Sequence, residues 1–600
     1  MDRFSMSRLR IGGEVLPHAI VAAVLSMASI CVVGAANAIT VERSPDPRRI
    51  AAIAAALPGN PGGPVQFEGG GSVAAAVKLL DSPVPEAPDD LYLEFTANGN
   101  RTRYQEARGR IFTNLDVLSV AERKEGKGRF LPKIEEYLNA IASMRSWVLP
   151  AHDRDLGNFN GTDLTIDLVS SATARRLAQV LFAFKGGISP ATERRVMDEM
   201  RRRVFDLYLA DCDRARPRHW WFYCTSNWNA VCHAGVVCAA LLAIRDRTER
   251  ARIVEAAMRA QNAFLSGFTP DGYCSEGMGY WVYGFGHYLE MGLAIRAATG
   301  GKMDLFKEGG ARARAAGGYP FVYQLQKGIS PRFADGGGNP SRKYLAICRD
   351  IWPDVVVDVL PAHTAFDDAQ VFFSRTVAGE GRPFGVAIKG GHNAEHHNHN
   401  DIGSWTLMLD GCEMAGDPGG EVYTARTFSK DRYVSKVLNS YGHPVPRVAG
   451  GLQPPGRKYR AKVLKKEFSE SRDVVVLDIS GAYEVKGLEK LVRTVEFDRA
   501  ARTFKVTDEV AFSSPAAFDV PIITYCDVEK GADPAHFTLV GGKAGKARAS
   551  VAVVAEGGDW TLEDEKIENP GRRSPRRISA TFKNPVSRAK VSFAISECRP

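Results

Sequence analysis

Cysteine is scarce in this chain and is nowhere paired at close spacing. Ten cysteines occur among 600 residues. Cys224, Cys232 and Cys238 lie near one another but lack the tight paired spacing of a zinc module. No basic helix with interleaved aromatics is present, which argues against nucleic acid as a partner. No internal repeat, heptad or low-complexity tract stands out. Long apolar runs are also missing: the stretch from Ala19 to Val33 is short for a membrane span.

What remains is an ordinary globular composition, 44% hydrophobic and 24% charged, with material for large cores. The length suggests roughly two to four domains. A formal charge of +9 and a pI near 8.9 suit an acidic partner, and with nucleic acid disfavoured, another anionic polymer. Arg3, Arg8 and Arg10 precede the short apolar stretch, and Ala36-Asn37-Ala38 offers an A-x-A cleavage site. Residues 1–38 are therefore expected to be a signal peptide. The mature chain would be secreted or periplasmic, without stable membrane insertion. Nine cysteines would remain, an odd number that leaves at least one free thiol or intermolecular pair. Most are expected to be small buried residues.

Apolar residues at helical spacing predict a helix between Phe130 and Trp147, carried by Leu131, Ile134, Tyr137, Leu138 and Ile141. Similar patterns predict helices near 164–184, 190–209, 229–245, 253–266, 281–299 and 304–326. Ser189 and Pro190 supply a cap and a first turn for one of them. So many antiparallel helices imply an α-solenoid or an (α/α) toroid. From Phe366 the pattern changes to short alternating runs: 371–375, 384–389, 405–409, 473–478, 491–497, 503–507 and 590–595. Turn residues such as Asp410-Gly411 separate them. That half reads as an antiparallel sandwich, with Lys486–Arg502 and the last sixty residues as solvated strand faces.

Polar chemistry gathers in three places. Four of the twelve histidines fall between His392 and His399, and an extended backbone would turn His397 and His399 to one side. Imidazole ligates metals and moves protons near neutral pH; an exposed loop that binds metal by accident is the alternative. The second place runs from His219 to Asn229 and leads into a helix carrying His233. Helix capping accounts for one of Asn227 and Asn229 but not both. The aromatics there fit either a sugar-stacking wall or buried core. The third is Asp271-Gly272-Tyr273-Cys274-Ser275-Glu276-Gly277-Met278-Gly279-Tyr280, followed by a helix that also carries Tyr283. The positive end of that helix would favour a tyrosinate.

In this order, the Asn-Trp stretch, the Asp-Gly-x-x-x-Glu-Gly-x-x-Tyr stretch and His397-x-His399-x-Asp401-x-Gly403-Ser404 resemble the heparinase II/III-like polysaccharide lyases. The resemblance covers nearly all of the mature chain. It implies an α+β multidomain protein: an N-terminal (α/α) toroid over 39–365, then a C-terminal antiparallel β-sandwich over 366–600. Carried over by position, Asn227 looks like the residue that neutralises the uronate carboxylate. Tyr280 looks like the catalytic tyrosine, with Tyr283 as fallback, and His397 looks like the catalytic histidine. Trp228 stands where several relatives have a further histidine, which leaves His233 as the substitute. Trp228, Asn229, Glu276 and Tyr423 are candidates for substrate binding, and Arg432 for lining the cleft. His399, Asp417 and His443 look like ligands of a structural Zn2+.

The chemistry asks for those residue types. β-Elimination beside a uronate removes a weakly acidic C5 proton, so a donor must hold the carboxylate while charge develops. A base takes the proton and an acid protonates the leaving oxygen. Tyr280 serves both steps if nearby positive charge lowers its pKa from about 10. The expectation is a lyase on an acidic, uronate-containing polysaccharide, with a glycosaminoglycan preferred to alginate or another polyuronate. Arg216, Arg218, Arg332 and Lys389 are candidates for anion contact. The competing readings are a uronyl C5-epimerase, which returns the proton to the opposite face, and a non-catalytic acidic-polysaccharide-binding protein.

Overall fold

The computed structural model describes residues 43–67, 70–377, 379 and 381–598. The expected leader, 1–38, lies outside them. No helix among the described residues is long and apolar enough to cross a membrane.

The first half is helical, and its hub is the helix Asn227–Ala243. Its sequence is apolar on every side rather than along one stripe, the pattern of a helix buried all round. It packs against Leu168–Ala183, Arg247–Leu265 and Gly286–Ala298. Gly235 lets it approach Leu168–Ala183 closely, since a Cβ there would lie 2.7 Å from the Ser171 backbone. The expected cap is present: Thr192 N donates to Ser189 Oγ at 3.3 Å, with Pro190 in the first turn.

Two predicted helices carry an interruption. Pro190–Met200 passes through one π-turn, Arg201–Phe205, before continuing to Cys212, and the segment from Met278 to Ala298 has another at Trp281–Phe285. The longest helix, Thr102–Glu125, was not predicted. Its buried face carries Arg108, Asp116, Ser119 and Glu122, and these polar residues blur the apolar stripe.

After the helix Arg342–Ile351 the chain turns to strands, the first at His363–Phe366. The first sheet is an antiparallel array in the order His363–Phe366, Val371–Arg375, Phe384–Lys389, Trp405–Leu409, Cys412–Ala415. Three of these strands coincide with predicted runs. Their alternation sorts two cores rather than core from solvent: Val371, Phe373, Ala387 and Met408 join the helical core. Phe372, Val386, Ile388, Leu407 and Leu409 join the core of the sheets beyond. Those are an eight-stranded and a four-stranded antiparallel sheet. In the strand Leu488–Asp498 burial alternates as a solvated face requires, and Arg493 takes a buried position in phase with Leu491, Val495 and Phe497 although it is charged. It holds Asp508 at 2.8 and 2.6 Å and donates to the carbonyls of Gly403 and Pro444 at 2.6 Å each.

Candidate active site and metal centre

Two glycine-bearing loops meet backbone to backbone. Gly279 N donates to Gly336 O at 2.7 Å, and a Cβ on Gly336 would lie 1.7 Å from the Glu276 carbonyl oxygen. Gly277 has φ +89°, a conformation that favours glycine. One loop thereby delivers Glu276 and Tyr280, and the other delivers Asp335. Gly284, in the adjoining π-turn, admits the start of the hub helix: a Cβ there would sit 3.0 Å from Asn227 Cβ. The histidine loop comes from the first sheet. Its residues 396–397 form a turn, not an extended strand, and His397 takes φ +55°. His397 and His399 therefore do not share a side by strand alternation; they converge because both reach Asp335.

Asp335 is the central carboxylate. His397 Nδ1 lies 3.0 Å from Oδ2, His399 Nε2 lies 2.9 Å from Oδ1, and Arg432 Nη2 donates to Oδ2 at 2.8 Å. Burial would push its pKa up, but these partners outweigh burial and hold it far below the usual carboxylate range. The Tyr280 ring stacks on His397 with centroids 4.2 Å apart. Its hydroxyl is 2.8 Å from that of Tyr423, which in turn lies 3.3 Å from His397 Nδ1. Asn227 Nδ2 donates to Glu276 Oε2 at 2.8 Å, and His397 Nε2 faces the same oxygen at 3.4 Å. Asn227, Glu276, Tyr280, His397, Tyr423 and Arg432 are thus brought into one cluster. Tyr280, Tyr423 and Asp335 line a cavity of about 410 Å³ together with Arg101, Gln105, Tyr283 and Arg572.

The expected lowering of the Tyr280 pKa is not found. Burial raises it, and the carboxylates of Asp335 and Glu276 add to the rise, while Arg101 opposes it. A turn of three helical residues, Met278–Tyr280, precedes the π-turn, and the local field at the hydroxyl is negative.

Other predicted residues lie elsewhere. His233 is fully buried, with Nδ1 on the Tyr208 hydroxyl, Nε2 on Phe222 O at 3.0 Å, and the Phe222 ring 4.6 Å away. Burial lowers its pKa to about 3. It braces the core and does not substitute for a catalytic histidine. Asn229 is also fully buried; its amide serves the carbonyls of Phe222, Cys224 and Ala260, and its oxygen accepts from Gln261. That satisfies its hydrogen-bonding capacity inside the protein, so it is no substrate ligand. Trp228 tilts against the exposed Trp220, 5.0 Å between centroids, and meets the edge of His152 at 4.7 Å. Lys389 is buried on Asp401 at 2.5 Å and is not available to an anion. Asp335 and Arg101 were not foreseen. The signal for Asp335 was a lone aspartate before three glycines, Gly336 to Gly338. Arg101, in a stretch that matches none of the three motifs, gave none.

Beneath the cluster, one nitrogen or oxygen from each of His399, Asp417 and His443 lies within 4.8 Å of the others, and all three residues are buried. His443 Nε2 meets Val437 O at 3.1 Å and His399 Nε2 meets Asp335, which leaves each Nδ1 as the lone-pair donor facing inward. His399 Nδ1 is buried without a hydrogen-bond partner. Burial raises the Asp417 pKa, but His443, 3.0 Å away, overrides that and keeps the carboxyl ionised. Two imidazole lone pairs and a carboxylate form a donor set that could hold a metal ion.

No protein-family model and no curated protein sequence matches the chain. Solved structures do. "Crystal Structure of Heparinase III" aligns with a TM-score of 0.62 at 13% identity, covering 96% of this chain and 89% of that one. "Heparinase III-BT4657 gene product" aligns at 0.59 and 13%, covering 88% and 89%. Heparan sulfate lyase HepC from Pedobacter heparinus aligns at 0.55 and 13%, covering 94% and 85%. The chain has the fold of these proteins, an (α/α) toroid followed by antiparallel sheets, as the motif resemblance implied.

Proposed function

We propose that this chain is a polysaccharide lyase that cleaves an acidic, uronate-containing polymer by β-elimination. The observation that carries the reading is the convergence of Asn227 and His397 on a single carboxylate oxygen, with the Tyr280 ring stacked on that histidine at 4.2 Å. Two donors that meet at one carboxylate oxygen can grip a substrate carboxylate that takes the place of Glu276, as charge moves onto it. The Tyr280 hydroxyl, at the cavity wall, is the group for the C5 proton and then for the leaving oxygen. Its raised pKa makes the phenol the resting form, suited to proton delivery. The phenol must lose its proton to solvent base before it attacks, which its raised pKa confines to alkaline pH. Arg101 and Arg572 in the cavity walls suit an anionic chain. The fold is that of heparinases and a heparan sulfate lyase, and a glycosaminoglycan is the favoured substrate.

The metal is proposed to be zinc, held by His399, Asp417 and His443. Bound there, it would supply a rigid crosslink behind the catalytic histidine, with Asp335 joining the two sites. Export to the periplasm or the medium is proposed on the leader expected over residues 1–38.

The test is ultraviolet absorbance during incubation with heparan sulfate, chondroitin, hyaluronan, alginate and glucuronan. A rise marks the conjugated C4–C5 double bond and names the substrate. No rise, with solvent deuterium entering the uronate, would replace elimination by epimerisation.

A further inference from the structure

Two cysteines outside the site stand against each other. Cys412 opens the last strand of the first sheet, and Cys526 follows the strand Phe518–Thr524 of the four-stranded sheet. Both thiols point at one carbonyl: Cys412 Sγ is 3.7 Å and Cys526 Sγ 3.5 Å from Glu413 O. Gly541 faces them, and a Cβ placed there would lie 2.6 Å from each sulfur. The residue opposite is thus a glycine, which leaves room for both sulfur atoms. Around them the backbone is fixed: Thr524 Oγ1 donates to Met414 O at 2.6 Å, Cys526 N donates to Thr524 Oγ1 at 2.9 Å, and Gly416 N donates to Ile523 O at 2.8 Å.

We infer that Cys412 and Cys526 form a dithiol–disulfide site, closed by exchange with a small-molecule or protein disulfide. Cys412 is half-buried and Cys526 buried, so an oxidant reaches Cys412 first. Hydrogen bonding from Cys526 lowers the Cys412 pKa to about 7, whereas burial raises the thiols of Cys212, Cys232, Cys274 and Cys348. The Cys412 thiolate attacks one sulfur of the oxidant, forming a mixed disulfide and releasing one thiolate. Cys526 then loses its proton and attacks Cys412 Sγ, releasing the second. The two protein thiols give up two electrons and two protons, and the oxidant's disulfide becomes two thiols. The bond would stitch the first sheet to the four-stranded sheet a few residues before Asp417. It is independent of what the cavity binds.

The experiment is a peptide map of the full chain, equilibrated with oxidised or reduced glutathione, alkylated and digested with trypsin without reduction. Tryptic peptides 390–426 and 506–530 each contain a single cysteine. The expected result is a linked pair of these peptides in the oxidised sample only, lost on adding dithiothreitol, and absent from Cys526→Ser. Equal alkylation of both cysteines in both samples would overturn the inference. So would glutathione on Cys412 with Cys526 alkylated. The wild-type map decides the matter even if the variant does not fold.

Discussion

At the scale of single residues, the site turns on a carboxylate that no motif announced. Asp335 holds His397 with one oxygen and His399 with the other. Replacing it by Asn keeps the shape but not the charge that both rings and Arg432 address. Asp335→Asn should lower kcat by about 10²-fold with little change in KM, measured by the ultraviolet assay on the responding polymer. Tyr280→Phe removes the hydroxyl of the ring stacked 4.2 Å from His397, and should lower kcat by at least about 10³-fold while the fold, followed by circular dichroism, is kept. Turnover near wild type would move the base elsewhere. The pH profile tests the same residue. A base must be deprotonated to act, and burial with two carboxylates raises the Tyr280 pKa, so the ascending limb of kcat/KM should still climb above pH 9. A plateau reached below pH 7 would assign the limb to another group. At this scale the sequence named Asn227, Tyr280 and His397 as partners because their motifs are local. It misjudged the tyrosine's charge state because burial, the largest cause of the raised pKa, and the distant Asp335 both depend on the fold.

At the scale of elements, side-chain placement depends on loops that touch through their backbones. Gly336 leaves no room for a methyl group against Glu276 O. Gly336→Ala should separate the loops, abolish activity and destabilise the protein by about 3 kcal/mol, read as a lower midpoint in urea. Helices are tied by charge as well. Glu290, on Gly286–Ala298, receives Arg175 at 2.7 Å from Leu168–Ala183 and also meets Lys343 of Arg342–Ile351. Burial raises its pKa, but the two cations prevail and bring it to about 2. A carboxyl depressed in the folded state contributes stability that is complete above its unfolded pKa and is lost as pH falls through the folded value. Thermal stability should therefore decline between about pH 5 and pH 2, less steeply in Glu290→Gln, which should begin lower at pH 7. Elements with clean periodicity were legible in sequence. Thr102–Glu125 was not, because buried Arg108, Asp116 and Glu122 replace the apolar residues that reveal a face.

At the scale of the whole molecule, the change from helical to strand periodicity was plain in the sequence, as were three strands of the first sheet. Which strands pair with which was not, since alternation reports faces and not partners. The metal set shows the same limit. His399, Asp417 and His443 were all named from the resemblance, but only the fold shows one nitrogen or oxygen of each within 4.8 Å of the others. Removing metal with a chelator should lower the melting temperature of wild type, with recovery on adding zinc, and should leave His443→Ala unchanged. A wild type indifferent to chelator would remove zinc from the proposal.

The first sheet also decides what can be cut from this protein. Its residues alternate between two hydrophobic interiors, so neither half owns it. A fragment ending before His363 would expose the apolar wall on which Phe373, Ala387 and Met408 rest, and one starting there would present those side chains to water. Either fragment expressed alone should aggregate. The two halves should melt together in one calorimetric transition, and genetic shuffling of toroids between chains of this fold should succeed only when the five strands travel with a matching partner.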